Sequence, residues 1–272
     1  MRSYPNRHVR SYADNTVIAT TSLQWVQLPF AGIEPVVDSG ALTPGLIWTC
    51  AKGVYSEPVA EHALALMLAG LRSLPARARA TSWGRQGVAT LFDAKVAILG
   101  AGGITTSLLS LLAPFRTEVT VLRRNAGQPV PGAVRTLAMD CLDAVLPTQQ
   151  LIVLALALTP QTERVIGPTQ LAAMDKTAWL VNVARGRHVD TDALVEALQS
   201  GAIGGAALDV TDPEPLPDDH PLWRLPHCLI TPHTANPWST AQPLLARRIT
   251  ENVRRFAAGA PLLGLVDLAA GY

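Results

Sequence analysis

Residues 95–124, KVAILGAGGITTSLLSLLAPFRTEVTVLRR, restrict the fold more than any other stretch of the chain. The apolar run at 96–99 reads as a β-strand, Gly100-Ala101-Gly102-Gly103 as a turn, the next run as a helix that Pro114 closes, and 119–122 as a second strand. That order is the opening unit of a dinucleotide-binding fold. Gly100 permits the tight turn. Gly102, which has no Cβ, lets the backbone approach a pyrophosphate that the positive end of the following helix attracts. One position departs from the G-x-G-x-x-G pattern: Thr105 stands at the third glycine, so a branched side chain is expected to disturb the closest helix–strand packing.

The second departure concerns the ribose. An acidic residue about 20 positions after the turn ordinarily recognises it, and here that place is taken by Arg123 and Arg124. Charges at a strand end can simply be solvated. At the carboxyl edge of the second strand, however, guanidinium groups suit a 2′-phosphate, because their planar fork matches phosphate oxygens. This second reading favours NADPH over NADH.

Strand and helix signals continue to alternate. Residues 151–156 and 178–184 are continuous apolar runs of the kind that buried parallel strands show, and 205–210 and 228–231 bring the expected number of strands to six. A helix is expected over 191–200, with Asp190 as its cap and Gly201 just past its end. A last helix, 241–258, is closed by Gly259 and Pro261. Alternation of this kind predicts an α/β fold, a doubly wound parallel sheet of Rossmann type, with ligands at the carboxyl ends of its strands. Those ends carry Gly100, Arg123, Arg185, Asp209 and His233. Before this region, 23–28 and 46–49 read as short strands joined through a turn at Phe30-Ala31-Gly32-Ile33. A helix follows, with Ser56 expected as its cap, Pro58 in its first turn and 59–71 as its body. Glu61 and His62 interrupt that apolar body and are expected to form a satisfied polar pair at a packing or subunit surface. Residues 1–20 carry no pattern that assigns an element, and poor order is expected there.

Composition narrows the function. At 272 residues the chain makes one or two domains, and a net charge of +1 gives no reason to expect nucleic acid or an anionic membrane as partner. The three cysteines, Cys50, Cys141 and Cys228, fit no metal or disulfide spacing, which points to a reducing cytoplasm. The polar N-terminus lacks the apolar core of a signal peptide, and the most apolar windows, 59–71 and 151–158, are too short or too interrupted to span a bilayer. No serine or cysteine sits in a nucleophile motif beside a suitable base, so hydrolysis has no support.

Three residues carry candidate chemistry. Arg185 follows a buried strand, and a cation there needs an anionic partner or water. Glu214 lies in the proline-stiffened stretch DPEPLP, and His233 follows Thr231-Pro232 at the end of the last strand. Each has an ordinary structural explanation alone. Together they supply a carboxylate binder, a proton donor and a group that tunes it, which is what reduction of a 2-keto acid beside a nicotinamide requires.

From about residue 23 to the C-terminus the chain resembles the D-isomer-specific 2-hydroxyacid dehydrogenases. The resemblance rests on WVQLPFAGIE, YSEPVAEHALALML, GAGGI, LVNVARGRHVDTDALVEALQSGAIGGAALDV and DPEPLPDDHPLW…LITPHTAN. Within the family it is most similar to the glyoxylate and hydroxypyruvate reductases. The resemblance implies that Arg185 clamps the substrate carboxylate and keto oxygen, that His233 delivers a proton to that oxygen, and that Glu214 orients the imidazole and favours its charged form. It places substrate contacts at Ala31, Gly32 and Tyr55, and cofactor contacts at Gly100, Gly102, Gly103, Ile104, Arg123, Arg124, Val183 and Ala184, with Asp209 on the nicotinamide amide. It further implies a homodimer built on the helix beginning near Ser56, although burial within one subunit would give its apolar run 63–71 the same pattern. The expected domains are a flavodoxin-like substrate lobe, 1–76 completed by 245–272, and a dinucleotide-binding domain, 77–244.

The departures carry expectations of their own. Family members have a further βα portion before the segment matched at Leu23, and a βαβ unit takes about 30 residues or more. The start of the lobe is therefore expected to be incomplete, through either a longer reading frame or a shortened lobe. Ala157 stands where the family has proline, and Gln149-Gln150 where it has Ala-Asp. With Thr105, these suggest relaxed constraint on the cofactor side. The competing function is a catalytically weak or silent dinucleotide-binding regulatory or dimerisation protein.

Overall fold

A computed structural model describes residues 23–84 and 87–268, so the expectation for residues 1–20 lies outside the described residues. The strands are β1 (Trp25–Gln27), β2 (Ile47–Thr49), β3 (Lys95–Leu99), β4 (Glu118–Arg123), β5 (Arg135–Ala138), β6 (Leu151–Leu154), β7 (Trp179–Asn182), β8 (Gly205–Leu208) and β9 (Cys228–Ile230). The helices are α1 (Glu34–Asp38), α2 (Ser56–Leu71), α3 (Leu74–Ala78), α4 (Gly103–Leu112), α5 (Leu142–Val145), α6 (Pro168–Ala173), α7 (Thr191–Ser200) and α8 (Trp238–Ala257). The chain divides into two compact units, of which the larger is Tyr55–Gln242 and the smaller holds the described residues before Tyr55 and from Pro243 onward. The expected lobe boundary fell at residue 76; α2 instead goes with the larger unit, because it packs on α4, β7 and β8.

The larger unit is a seven-stranded parallel sheet in the order β5-β4-β3-β6-β7-β8-β9. The order reverses between β3 and β6, which is where such sheets open a ligand crevice at their carboxyl ends. The alternation along β3 shows why the sheet is wound on both faces. Val96 and Ile98 join a core closed by α2 and α4, whereas Ala97 and Leu99 join one closed by α5, α6 and α7. Full burial of a side chain the size of Val96, Ile98 or Leu99 contributes about 1.5–3 kcal/mol. The sheet has seven strands where six were expected. The additional strand, β5 (RTLA), is a half-buried edge strand with no continuous apolar run, so periodicity offered nothing to detect.

Local signals explain most helix ends. Asp190 caps α7 by accepting the Ala193 N–H at 3.1 Å, and Gly201 ends it at φ +68°. Ser56 corrects an expectation: it is the first helical residue of α2, and Tyr55 occupies the cap position. The chain has already entered helical geometry at Ser56, so its hydroxyl is one place too late to act as cap. The apolar side of α2 (Ala60, Ala63, Leu66, Met67, Gly70, Leu71) is buried inside its own unit. Gly70 packs so closely that an added Cβ would lie 2.5 Å from the Trp179 ring. Burial within one chain therefore accounts for the run at 63–71.

In the smaller unit β1 and β2 pair in parallel, and Leu28, Ile33, Val36, Ala41, Trp48 and Cys50 form its core. Asn252 of α8, fully buried, donates to Gln27 Oε1 and to the Leu263 carbonyl, both at 2.9 Å, and accepts the Leu263 N–H at 2.8 Å. One side chain thereby joins α8, β1 and the C-terminal segment. The three cysteines are free thiols, and burial pushes that of Cys228 up to about 12.

Candidate active site

At the first strand end, Gly100 has φ +106°, and an added Cβ would lie 2.3 Å from the Ala155 carbonyl oxygen, so only glycine fits. Gly102 is the opposite case: an added Cβ would meet nothing within 4 Å. Open space there, ahead of the N-terminus of the ten-residue helix α4, fits an approaching pyrophosphate. Gly103 and Ile104 form the first turn of α4. Thr105 does not disrupt the turn. It is fully buried, and its hydroxyl donates to the Gly100 carbonyl at 2.8 Å, so the side chain ties the helix to the turn.

Arg123 ends β4 half-buried and donates to the Gln128 carbonyl at 3.2 Å, and Arg124 beside it is exposed. The residues at the two other departures also make hydrogen bonds. Gln150 Oε1 accepts the Lys95 N–H at 3.1 Å, and the Ala157 carbonyl accepts the Thr162 hydroxyl at 2.8 Å. Gln149 Nε2 reaches Thr148 Oγ1 at 2.8 Å, while its buried Oε1 has no partner among the described residues.

The residues after β7 turn sharply, and Asn182 explains the turn. Its Nδ2 donates to the Arg185 carbonyl at 2.8 Å and its Oδ1 accepts the Ala184 N–H at 3.0 Å, fixing Val183, Ala184 and Arg185. Arg185 is half-buried, and its Nη1 donates to the Ala184 carbonyl at 2.7 Å. Next to it Gly186 lies so close to the 211–214 segment that an added Cβ would be 1.9 Å from the Thr211 carbonyl oxygen. The Thr211 and Thr191 hydroxyls hold that segment, donating to the Pro213 carbonyl at 2.9 Å and the Asp212 carbonyl at 2.7 Å. Glu214 is thereby placed beside the histidine.

His233 Nδ1 lies 2.6 Å from Glu214 Oε1, with side-chain exposures of 54% and 42%. The carboxylate can only accept, so Nδ1 carries the hydrogen and Nε2 is left to face a ligand. The Glu214 hydrogen bond raises the His233 pKa above its ordinary value against the effect of burial. The His233 hydrogen bond likewise holds the Glu214 carboxyl low, helped by the Thr211 N–H and the Arg185 charge. Arg185 thus acts electrostatically on both members of the pair.

Beneath this pair lies Asp209, whose side chain is 2% exposed. Its Oδ1 accepts from the Thr231 hydroxyl at 2.7 Å and the Thr234 N–H at 2.9 Å, its Oδ2 from the Ala235 N–H at 3.1 Å, and its backbone carbonyl from the His233 N–H at 2.8 Å. Burial pushes the carboxyl up, but the His62, Thr231, Thr234 and Ala235 donors outweigh it and leave the pKa below the ordinary carboxylate value. His62 also corrects an expectation, since Glu61 is exposed while the imidazole turns toward Asp209 and Thr231.

The larger unit therefore brings together Arg185, Glu214, His233 and Asp209, with Gly100, Gly102 and Arg123 at ends of the same sheet. Tyr55 opens α2 in that unit, whereas Ala31 and Gly32 lie in the bend after β1 in the smaller one. Sequence reasoning missed Asn182, Thr191 and Thr211, and it named His62 only as half of a polar pair with Glu61. It also missed His188, fully buried, whose Nδ1 and Nε2 lie 2.9 Å and 3.3 Å from the Thr162 and Leu156 carbonyl oxygens and so fasten the segment after β6. An Asn ending a buried strand was a detectable signal, and so was Thr211, whose partner Pro213 is two residues away; Thr191, His62 and His188 depend on partners remote in sequence.

A Rossmann-order sheet with a glycine turn and an Arg–Glu–His group at its carboxyl edge defines a dinucleotide-dependent oxidoreductase. Residues 63–235 match the model of the family described as D-isomer specific 2-hydroxyacid dehydrogenase, NAD binding domain, and the chain belongs to that family. A glyoxylate reductase of Thermofilum pendens is 29% identical over 244 residues, covering 86% of this chain and 72% of the relative. A D-isomer specific 2-hydroxyacid dehydrogenase of Xanthobacter autotrophicus Py2, solved with NADPH and MES, superposes with a TM-score of 0.84 at 31% identity, over 95% of this chain and 82% of that one. An NADPH-dependent glyoxylate/hydroxypyruvate reductase of Sinorhizobium meliloti, solved with NADP and sulfate, gives 0.83 at 27% identity, over 92% and 80%. The chain is thus an NAD(P)-dependent D-2-hydroxyacid dehydrogenase.

Proposed function

We propose that this chain reduces a small 2-keto acid of the glyoxylate and hydroxypyruvate class to the D-2-hydroxy acid, with NADPH preferred. The observation that carries the reading is the 2.6 Å His233–Glu214 contact beside Arg185. When bound, the reduced nicotinamide supplies hydride. Arg185 binds the substrate carboxylate, for which its fork is suited. His233 holds a proton on Nε2 and gives it to the keto oxygen, while Glu214 keeps the ring oriented and charged. Val183 and Ala184, fixed by Asn182, would flank the nicotinamide, with Asp209 facing its amide. Gly100, Gly102, Gly103 and Ile104 would cradle the pyrophosphate, and Arg123 and Arg124 would meet a 2′-phosphate. Ala31, Gly32 and Tyr55 would contact substrate.

The assignments of homodimer and cytoplasmic setting belong to the same proposal. They are supported by the family; separately, no helix among the described residues is long and apolar enough to cross a membrane. A silent dinucleotide-binding role is not favoured, because the Arg185, Glu214 and His233 arrangement is intact. The test is oxidation of NADPH and, in parallel, NADH by the purified chain with glyoxylate and hydroxypyruvate. Turnover favouring NADPH is the expected result. Cofactor binding without turnover on either substrate contradicts the proposal.

A further inference from the structure

We propose that His62 is a positioning residue that holds the His233 backbone in place through Asp209 and Thr231; the inference rests on the keto acid reduction proposed above. His62 Nε2 lies 2.9 Å from Thr231 Oγ1 and 3.2 Å from Asp209 Oδ1. The Thr231 hydroxyl gives its own hydrogen to Asp209, so it can only accept from His62, and Asp209 can only accept as well. Both contacts require the hydrogen on Nε2, which fixes the tautomer.

The need for such a donor follows from Asp209. Its carboxylate is buried, and a buried charge must be compensated by hydrogen bonds or a partner. Among the described residues His62 is the one side-chain N–H that reaches it; the other donors are the Thr231 hydroxyl and the Thr234 and Ala235 amides. Those three, with the His233 amide on the Asp209 carbonyl, make Asp209 the anchor of the segment 231–235. His233 itself sits at φ +52°, a left-handed conformation that a non-glycine residue keeps only when its surroundings impose it. His62 reaches this anchor from α2, whose neighbouring Ala63, Leu66 and Met67 are buried in the core. The network is therefore referred to a rigid helix 169 residues away in sequence from Thr231.

The experiment compares His62→Leu, His62→Gln, Thr231→Val and the His62→Leu/Thr231→Val double variant. In His62→Leu, kcat for keto acid reduction falls about tenfold or more while KM for the dinucleotide stays within about twofold. Gln, whose amide N–H can replace Nε2–H, restores most of the rate. The double variant is no slower than the slower single, because both remove one network. A His62→Leu rate within about twofold of the original, a Gln variant as slow as Leu, or losses that multiply would each overturn the proposal. If His62→Leu does not fold, Thr231→Val decides, with the same kcat loss expected and an unchanged kcat contrary to it. If the original chain turns over no keto acid, the reaction is wrong and amide exchange decides this inference. Thr234 and Ala235 then exchange about tenfold faster in His62→Leu while the β8 amides do not, and equal exchange overturns it.

Discussion

His233 Nδ1 and Glu214 Oε1 are 2.6 Å apart, and each side chain is more than one-third exposed. The contact raises the histidine pKa, so the proton needed for reduction is present at low pH and lost as pH rises through that raised value. Glu214→Gln removes the raising partner. The basic limb of the kcat/KM profile therefore moves to lower pH, and kcat falls about tenfold or more. Because the pair is solvent-screened, the same substitution costs no more than about 1 kcal/mol in urea unfolding.

Arg185 and lysine are not equivalent in this site. Loss of a charge-assisted hydrogen bond costs about 1.5–3 kcal/mol, so Arg185→Lys lowers kcat/KM for the keto acid about tenfold to a hundredfold. Steady-state kinetics should place this loss on the keto acid, with dinucleotide affinity by fluorescence essentially unchanged.

Two glycines of one turn should separate folding from binding. Gly100→Ala forces a Cβ against the Ala155 carbonyl at positive φ and destabilises by about 3 kcal/mol or more, as chemical denaturation would record. Gly102→Ala meets open space, so its unfolding midpoint is close to the original. Its dinucleotide affinity is nevertheless expected to fall, since the methyl group would occupy the place proposed for the pyrophosphate.

Cofactor choice rests on the arginine pair. Replacing Arg123 and Arg124 by serine should raise KM for NADPH about tenfold or more and leave KM for NADH nearly unchanged, as expected if they bind a 2′-phosphate. Equal changes for both cofactors would show that the pair does not recognise a 2′-phosphate.

The Asp190 cap offers a check independent of chemistry. Its carboxylate accepts the Ala193 N–H, so Asp190→Ala should destabilise by about 1 kcal/mol in urea unfolding without changing turnover.

The legible parts of the fold were those written in contiguous residues. Apolar runs marked β3, β6 and β7, and Asp190 and Gly201 bounded α7 at its observed ends. The edge strand β5 escaped because half-burial leaves no run to recognise. At the site, Arg185, Glu214 and His233 could be named from their motifs, but not what holds them. The Thr191 hydroxyl reaches 21 residues along the chain to Asp212, and His62 reaches 169 residues to Thr231, distances that no local pattern encodes. Thr105 was misjudged for a related reason. Its branched side chain suggested a clash, whereas its hydroxyl finds the carbonyl that the glycine turn exposes.

The central claim is proton delivery by His233 to a 2-keto acid. Its most direct test is chiral analysis of the product from hydroxypyruvate and NADPH, with the purified chain and with His233→Ala. The account predicts D-glycerate in one-to-one stoichiometry with oxidised cofactor, and a rate lowered about a hundredfold or more in His233→Ala while the cofactor still binds. Formation of the L isomer, or a His233→Ala rate equal to that of the unaltered chain, would contradict it.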